Sequence, residues 1–163
     1  MSAVILAIDL GGSGLRAALV AADGAVGARA AIARPAMARS IGDEADPMLW
    51  WRDLLAAAAQ LAIDDPDGFS AIRGIAACGM TRTQVFVGTD GEAVRPAIGF
   101  GDTRAGAVLE AAGAPDHPEA ANLNPYHPAA RLLWLKQAEP AAYAATRMVL
   151  EPKDWLAFRL TGL

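Results

Sequence analysis

The first apolar segment of the chain predicts a strand that ends in a sharp turn. Residues 4–8 form a continuous, partly β-branched apolar run, which is typical of a strand buried on both faces. Asp9 follows this run directly, and three of the five residues after it are glycines. Because glycine lets the backbone reverse direction tightly, we expect a turn with Asp9 at its entrance.

The apolar segments after the turn predict two more strands. Asp23-Gly24 separates a run over residues 15–22 from a run that reaches about Ala33, and Asp-Gly between two such runs is a signal for a tight hairpin. The glycine-rich segment is therefore expected to join two antiparallel strands. The alanines of residues 16–22 would also fit a short helix, and this alternative stays open.

A helix and a further strand are predicted next. Asp46 and Pro47 are the residue types of a helix N-cap and first turn. Apolar residues then recur on one helical face: Trp51, Leu54, Leu55, Ala58, Leu61 and Ala62. The Asp-Asp-Pro-Asp-Gly run at residues 64–68 is expected to end this helix, and residues 72–78 are expected to form the next strand.

The second half of the chain predicts shorter elements. Residues 84–87 and 93–94 flank Asp90-Gly91, which is a second hairpin signal. The remaining elements are expected to be a helix from Asp102-Thr103-Arg104 to about Ala112, a loop over residues 113–128, a helix from Leu132 to Glu139, a strand over residues 148–150 and a helix after Pro152.

Composition and charge exclude several classes of protein. The chain has 163 residues, with 14 Lys and Arg against 18 Asp and Glu, so its formal net charge is −4. It lacks the basic stripe of a sequence-independent nucleic-acid binder and any apolar run long enough to span a membrane. With no basic leader and a single cysteine, the expected location is the cytoplasm. Cys78 stands among small apolar residues and is expected to be buried.

Asp9 and the glycine-rich segment suggest a phosphate site. A carboxylate at the end of a strand can hold water-coordinated Mg²⁺, and glycines bring backbone N–H groups close to phosphate oxygens. Ser13 adds a hydroxyl and Arg16 a permanent cation. A dinucleotide-binding turn is the main rival, but it requires a helix after the glycines, which the Asp23-Gly24 signal disfavours. An ordinary glycine-rich turn is the third interpretation.

Several separated segments resemble known families. The order of strand, Asp9, glycine-rich turn, strand, Asp-Gly and strand resembles the first phosphate-binding hairpin of the actin-like ATPase superfamily. Later segments resemble the FGGY carbohydrate kinases, with the xylulokinase-like members nearest in pattern: residues 74–81, residues 90–98, Asp102-Thr103-Arg104, residues 131–136, Glu139-Pro140 and residues 152–162. The resemblance implies an α/β fold, namely an RNase H-like lobe of the actin-like type with a mixed sheet, antiparallel hairpins and flanking helices.

The resemblance also implies an activity and the residues that serve it. FGGY kinases transfer the γ-phosphoryl group of ATP to a hydroxyl of a sugar or polyol. By resemblance, Asp9 holds Mg²⁺ through water, and the ATP phosphates lie near Gly11, Gly12, Ser13 and Arg16. The substrate positions are Thr81, Arg82, Asp102 and Tyr126. The implied cofactors are ATP and Mg²⁺, and the implied partners are ATP and a sugar or polyol, without nucleic acid or membrane; a homodimer is left open.

One departure from the family pattern concerns the substrate loop. Xylulokinase-like chains usually have Gly-Gln-Met-His there, whereas this chain has Gly79-Met80-Thr81-Arg82. Arg82 suggests either an anionic or carboxylated substrate or a salt bridge with Asp102, and both interpretations stay open.

A second departure concerns length. Residues 1–163 are expected to form the N-terminal lobe only, with the family's catalytic Asp and its C-terminal lobe beyond Leu163. Phosphoryl transfer needs a positioned base and both substrates held in line, so we expect the chain alone to be inactive. A non-catalytic sugar- or phosphate-binding module or an assembly fragment is the alternative. A metal site at His117 and His127 is disfavoured, because no Cys or carboxylate stands at ligand spacing.

Overall fold

The computed structural model describes residues 3–36, 42–113 and 122–163. In chain order, the elements are β1 (Val4–Gly11), β2 (Gly14–Ala21), β3 (Val26–Ala33), β4 (Glu44–Ala45), α1 (Pro47–Asp64), α2 (Pro66–Ser70), β5 (Ile72–Gly79), β6 (Val85–Val87), β7 (Ala97–Ile98), α3 (Gly106–Ala112), α4 (Pro128–Ala138), α5 (Pro140–Ala145), β8 (Met148–Leu150) and α6 (Pro152–Thr161). They belong to two compact units, the first within Met1–Ala36 and Met48–Met80 and the second within Met37–Pro47 and Thr81–Leu163.

The first unit is built on a four-stranded sheet in the order β3-β2-β1-β5. β1 pairs antiparallel with β2, and β2 pairs antiparallel with β3, while β5 lies parallel to β1. The two hairpins predicted at the glycine-rich turn and at Asp23-Gly24 are thereby confirmed. The helix alternative for residues 16–22 is wrong, because the strand β2 continues to Ala21.

Side chains of this sheet alternate between a buried face and an open face. On β1, Val4, Leu6 and Ile8 are at most 8% exposed, whereas Ile5 is 38% exposed. The prediction that this strand is buried on both faces is wrong, because successive side chains point to opposite faces and only one face is packed in this unit. Cys78 is exposed beside Asp9 in the β1–β5 register, so its predicted burial is also wrong.

Helix α1 supplies further core residues to the first unit. Its most buried apolar side chains are at most 3% exposed and recur with helical spacing: Trp50, Leu54, Ala57 and Leu61. The predicted apolar face is wrong in part, since Leu55 is 51% exposed. The helix ends at Asp64, where the Asp-rich run predicts its end.

The second unit holds two small antiparallel sheets, β4-β7 and β6-β8, and helices α3 to α6. Strand β8 and helices α3, α4 and α6 match the predicted elements, whereas α5 has no counterpart in the predictions. Val87 bridges Ala93 around Asp90-Gly91, but the strand that pairs with β6 is β8. None of the described helices combines the length and apolar character that a membrane crossing needs.

Candidate functional site

The glycine-rich turn joins β1 to β2 as a two-residue hairpin loop. Gly11 pairs with Gly14 across the hairpin, so Gly12 and Ser13 form its tip. The carbonyl of Ser13 accepts a hydrogen bond from the Arg34 N–H at 2.9 Å, which fixes the tip to the end of β3. Ser13 is exposed, so its hydroxyl and the backbone at the tip of the turn are accessible to a ligand.

Asp9 and Arg16 lie side by side on the open face of the sheet, next to this turn. The two residues are register partners on β1 and β2, and Nη1 of Arg16 lies 3.7 Å from Oδ2 of Asp9. The side chain of Asp9 is 51% exposed and that of Arg16 is 78% exposed. An ion pair this exposed contributes little to stability. Breaking it so that Asp9 or Arg16 can bind a ligand would therefore cost little free energy.

Two depressions flank this pair of charges. One has a volume of about 450 Å³ and is lined by small residues together with Asp9, Arg16, Arg29 and Cys78. The other has a volume of about 200 Å³ and lies at Ser13 and Gly14. The turn and the Asp9 carboxylate therefore border open space on the sheet.

Cys78 is the thiol at this place, and the structure does not favour it as a nucleophile. Its Sγ lies 3.7 Å from Oδ1 of Asp9. Lost solvation and the neighbouring Asp9 carboxylate raise the pKa of the thiol, which keeps it protonated at neutral pH.

The residues at this site fit Mg²⁺ held through water and do not fit a metal held by a protein cage. Mg²⁺ keeps several of its waters and often takes one or two carboxylates together with phosphate oxygens. Asp9 offers one exposed carboxylate beside open space. Within residues 3–36, 42–113 and 122–163, no three His, Cys, Asp or Glu side chains gather closely enough to hold a metal ion.

The predicted substrate residues lie in the second unit, where Arg82 contacts Tyr126. The guanidinium carbon of Arg82 is 5.2 Å from the ring centroid of Tyr126 and 5.6 Å from that of Phe100. Thr81 and Arg82 are both exposed. The structure thus gathers Thr81, Arg82 and Tyr126 at one place on the surface.

Asp102 differs from these residues because its carboxylate is fully buried. Oδ2 accepts hydrogen bonds from the Gly42 N–H at 2.8 Å and from the side chain of Arg104. Burial alone would raise the pKa of Asp102, but the hydrogen bonds from Arg104 and Gly42 outweigh it and hold the pKa below its ordinary value. The proposed salt bridge between Arg82 and Asp102 is therefore wrong, because Asp102 pairs with Arg104.

Arg131 connects these two parts of the second unit, although it is not among the predicted site residues. Its guanidinium is fully buried and donates to the carbonyl of Arg82 at 2.6 Å and to the carbonyl of Asp102 at 2.8 Å. It also donates to three further oxygens, those of Gln84, Ile98 and Gly99. Burial lowers the pKa of Arg131 to about 10, so this arginine stays charged at neutral pH.

A second residue absent from the predictions is Glu151, whose Oε1 accepts a hydrogen bond from the Arg82 N–H at 3.0 Å. A weak signal for Arg131 exists in the sequence, since it is the one charged residue among residues 128–135, directly before the predicted helix. No comparable signal marks Glu151. Of the two histidines, His127 caps α4 by accepting from the Ala129 N–H at 3.1 Å, and His117 lies outside the described residues.

The comparison with known proteins decides the family. The model of the FGGY family of carbohydrate kinases, N-terminal domain, matches residues 4–163. The chain belongs to this family. A xylulose kinase from Klebsiella pneumoniae is 30% identical over 165 residues, which is 96% of this chain and 33% of that protein.

Solved structures of FGGY kinases carry the same fold. A xyloylose kinase from Brucella ovis superposes with a TM-score of 0.87 at 29% identity and covers 98% of this chain and 34% of its own. A xylulose kinase from Rhodospirillum rubrum gives a TM-score of 0.82 at 26% identity, covering 98% of this chain and 35% of its own. The predicted α/β fold of the actin-like ATPase type is thereby confirmed. The chain spans about a third of the length of these relatives.

Proposed function

We propose that the chain forms the N-terminal lobe, residues 1–163, of an ATP-dependent kinase that phosphorylates a hydroxyl of a sugar or polyol. Membership of the FGGY family supports the reaction class. The observation that carries the proposal is the exposed Asp9 carboxylate beside the glycine-rich turn and open space. Phosphoryl transfer also needs a general base and further contacts that hold ATP in line with the acceptor, and we assign both to a further lobe.

The first unit is proposed to bind the phosphates of ATP. Asp9 would hold Mg²⁺ through water, and the bound ion would neutralise charge on the transferring phosphoryl group. Backbone N–H groups of Gly11, Gly12 and Ser13 would face phosphate oxygens. Arg16 would leave its weak pairing with Asp9 and turn toward a phosphate, since Mg²⁺ then takes its place beside the carboxylate.

The second unit is proposed to bind the acceptor. Thr81, Arg82 and Tyr126 offer a hydroxyl, a cation and an aromatic ring at one exposed place. The carboxylate of Asp102 already accepts a hydrogen bond from the Gly42 N–H and pairs with Arg104. Its proposed role is therefore to fix the backbone of the acceptor site, without a direct contact to the substrate.

The proposal is tested by titrating the 163-residue chain with ATP, with and without Mg²⁺, and following backbone amide signals by NMR. Mg²⁺-dependent shifts are expected at Gly11, Gly12 and Ser13. Asp9→Asn should weaken binding of the magnesium complex at least tenfold, since it removes the carboxylate. The control Asp23→Asn changes the acid at the other hairpin, whose Oδ1 accepts from the Ala25 N–H and which an amide oxygen can replace.

Equal affinity in Asp9→Asn and the natural chain would contradict the proposed phosphate site. A coupled ADP-release assay on the chain extended by a second FGGY lobe, with a panel of sugars and polyols, tests the reaction itself. Ligand binding without turnover in that extended protein would favour the non-catalytic binding module instead.

A further inference from the structure

The backbone of Arg82 has a left-handed conformation, which residues other than glycine disfavour. Its φ is +53°, and it is the non-glycine residue with positive φ among residues 3–36, 42–113 and 122–163. Side chains disfavour this left-handed conformation, and where it persists the surrounding structure enforces it. Such positions cluster at ligand-binding sites, so the outlier calls for an explanation at Arg82.

Two charged side chains hold this conformation, one through the peptide group before Arg82 and one through the peptide group after it. Glu151 accepts from the Arg82 N–H at 3.0 Å, and the buried Arg131 donates to the Arg82 carbonyl at 2.6 Å. The guanidinium of Arg131 is fully buried and donates hydrogen bonds to four further oxygens, so its position is fixed. The backbone of Arg82 is therefore fixed before any ligand arrives.

The guanidinium of Arg82 is also placed in advance. It lies 5.6 Å from the ring centroid of Phe100 and 5.2 Å from that of Tyr126, distances at which aromatic faces attract a cation. Stacking on rings leaves the N–H groups at the guanidinium edge available as donors. The residue itself is exposed, so those donors face solvent.

Neighbouring arginines of the second unit differ in having acidic partners. Arg104 pairs with Asp102 and Glu44, and Arg95 pairs with Glu44 and Glu139. In the described parts of the chain, no carboxylate forms an ion pair with Arg82. The Glu151 carboxylate is bonded to the backbone N–H of Arg82 and forms no ion pair with its guanidinium. The fixed and exposed guanidinium can therefore take a carboxylate partner from outside.

We infer that Arg82 determines the acceptor specificity of this site, selecting a polyhydroxy acid whose carboxylate it binds over a neutral sugar. This rests on the proposed function, since it names the substrate class of the same acceptor site. A guanidinium binds a carboxylate through two parallel hydrogen bonds, which a neutral hydroxyl cannot match. A singly charged carboxylate is favoured over a doubly charged phosphate, because Arg131 is buried and Arg104 already has acidic partners.

A matched pair of ligands tests the inference, D-gluconate and D-glucitol, which differ by a carboxylate at one end of the same polyol. NMR titration of the 163-residue chain should show at least tenfold tighter binding of gluconate, weakening as salt is added. Arg82→Asn should lower gluconate affinity at least tenfold and glucitol affinity by much less, so that the preference for gluconate is lost. Asparagine tolerates positive φ, so this variant is expected to fold. Arg82→Lys should keep part of the preference, because it retains the charge without the planar fork.

Arg147→Asn is the control, since it removes an exposed arginine of the same unit whose guanidinium donates to the nearby carbonyls of Ala144 and Thr146. Equal binding of gluconate and glucitol would overturn the inference and leave the proposed polyol site intact. Tighter binding of D-glucitol 6-phosphate than of gluconate would overturn the choice of a carboxylate. Binding of none of the three at millimolar concentration would overturn the proposed acceptor site and this inference with it.

Discussion

At the glycine-rich turn, the backbone of Gly14 leaves no room for a side chain. Its φ is +150°, and a Cβ built there would lie 2.2 Å from the carbonyl oxygen of Ile32 on the neighbouring strand. Gly14→Ala must therefore move β3 away from β2 or distort the turn. We expect the free energy of unfolding, measured by urea denaturation, to fall by about 2 kcal/mol or more.

Gly12→Ala is the matched control two residues earlier in the same turn. A Cβ at Gly12 would meet nothing within 4 Å. Its effect on the free energy of unfolding should stay within about 1 kcal/mol, because it neither clashes nor needs a left-handed backbone. Similar losses in the two variants would mean that the close approach to Ile32 is not what makes Gly14 necessary.

At the residue scale, the sequence predicts the local part of the candidate sites and misses the long-range part. Asp9 and the glycines could be identified because their signal lies within a few adjacent positions. Glu151 and Arg131 could not, because they reach Arg82 across 69 and 49 positions of sequence. The positive φ of Arg82 depends on these two contacts, so a local pattern could not predict it either.

At the scale of elements, helix α1 shows how far periodicity alone can orient a helix. Leu55 and Leu61 belong to the same predicted apolar face, yet Leu61 is fully buried and Leu55 is 51% exposed. Leu61→Ala should lower the free energy of unfolding by about 2–5 kcal/mol, whereas Leu55→Ala should change it by about 0.5 kcal/mol or less. Thermal or urea unfolding of the two variants measures the difference, and equal losses would mean that the helix is rotated from this orientation.

The strands show a related limit of sequence patterns. A run of apolar residues predicts β1 correctly as a strand, but it cannot tell whether one or both faces of the sheet are covered. That depends on which other elements pack against Ile5 and Cys78, and in the first unit those two residues are exposed. The Asp90-Gly91 turn is similar, because the turn was predictable while the pairing of β6 with β8, more than sixty positions further on, was not.

At the scale of the whole molecule, the fold was predictable because the family's motifs are spread along nearly all of the chain. The Asp9 turn and the Asp102-Thr103-Arg104 segment fall in different units. The turn lies where it was predicted, and the helix predicted from Asp102-Thr103-Arg104 begins at Gly106. Family membership, shown by the match over residues 4–163, then gives the fold as a whole. We infer that the choice of acceptor depends on Arg82, where this chain departs from the family pattern.

Acid stability is a property of the whole molecule that two buried carboxylates are expected to influence in opposite directions. Burial would raise the pKa of Asp102, but hydrogen bonds from Arg104 and Gly42 outweigh it and lower the pKa. Its stabilising contribution is thus present above the ordinary pKa near 3.8 and is lost as the pH falls through the lower folded value. Asp43 has a raised pKa, mainly through burial and also through the nearby Asp102, so its protonation favours the folded state as the pH falls.

The pKa of Glu44 is also lowered from its ordinary value of 4.5. Urea denaturation between pH 7 and pH 3 should therefore show stability declining below about pH 4.5 as the contributions of Glu44 and Asp102 are lost, with a slope that measures the protons taken up on unfolding. Asp102→Asn should make this decline shallower, because it removes a group that takes up a proton when the chain unfolds. Asp43→Asn should make the decline steeper, because it removes a group that binds its proton more tightly in the folded state. Since both variants replace a buried Asp of the second unit by Asn, a general loss of stability would shift both profiles alike. A change of slope in the same direction for both would contradict the assignment of opposite pKa shifts to the two carboxyls.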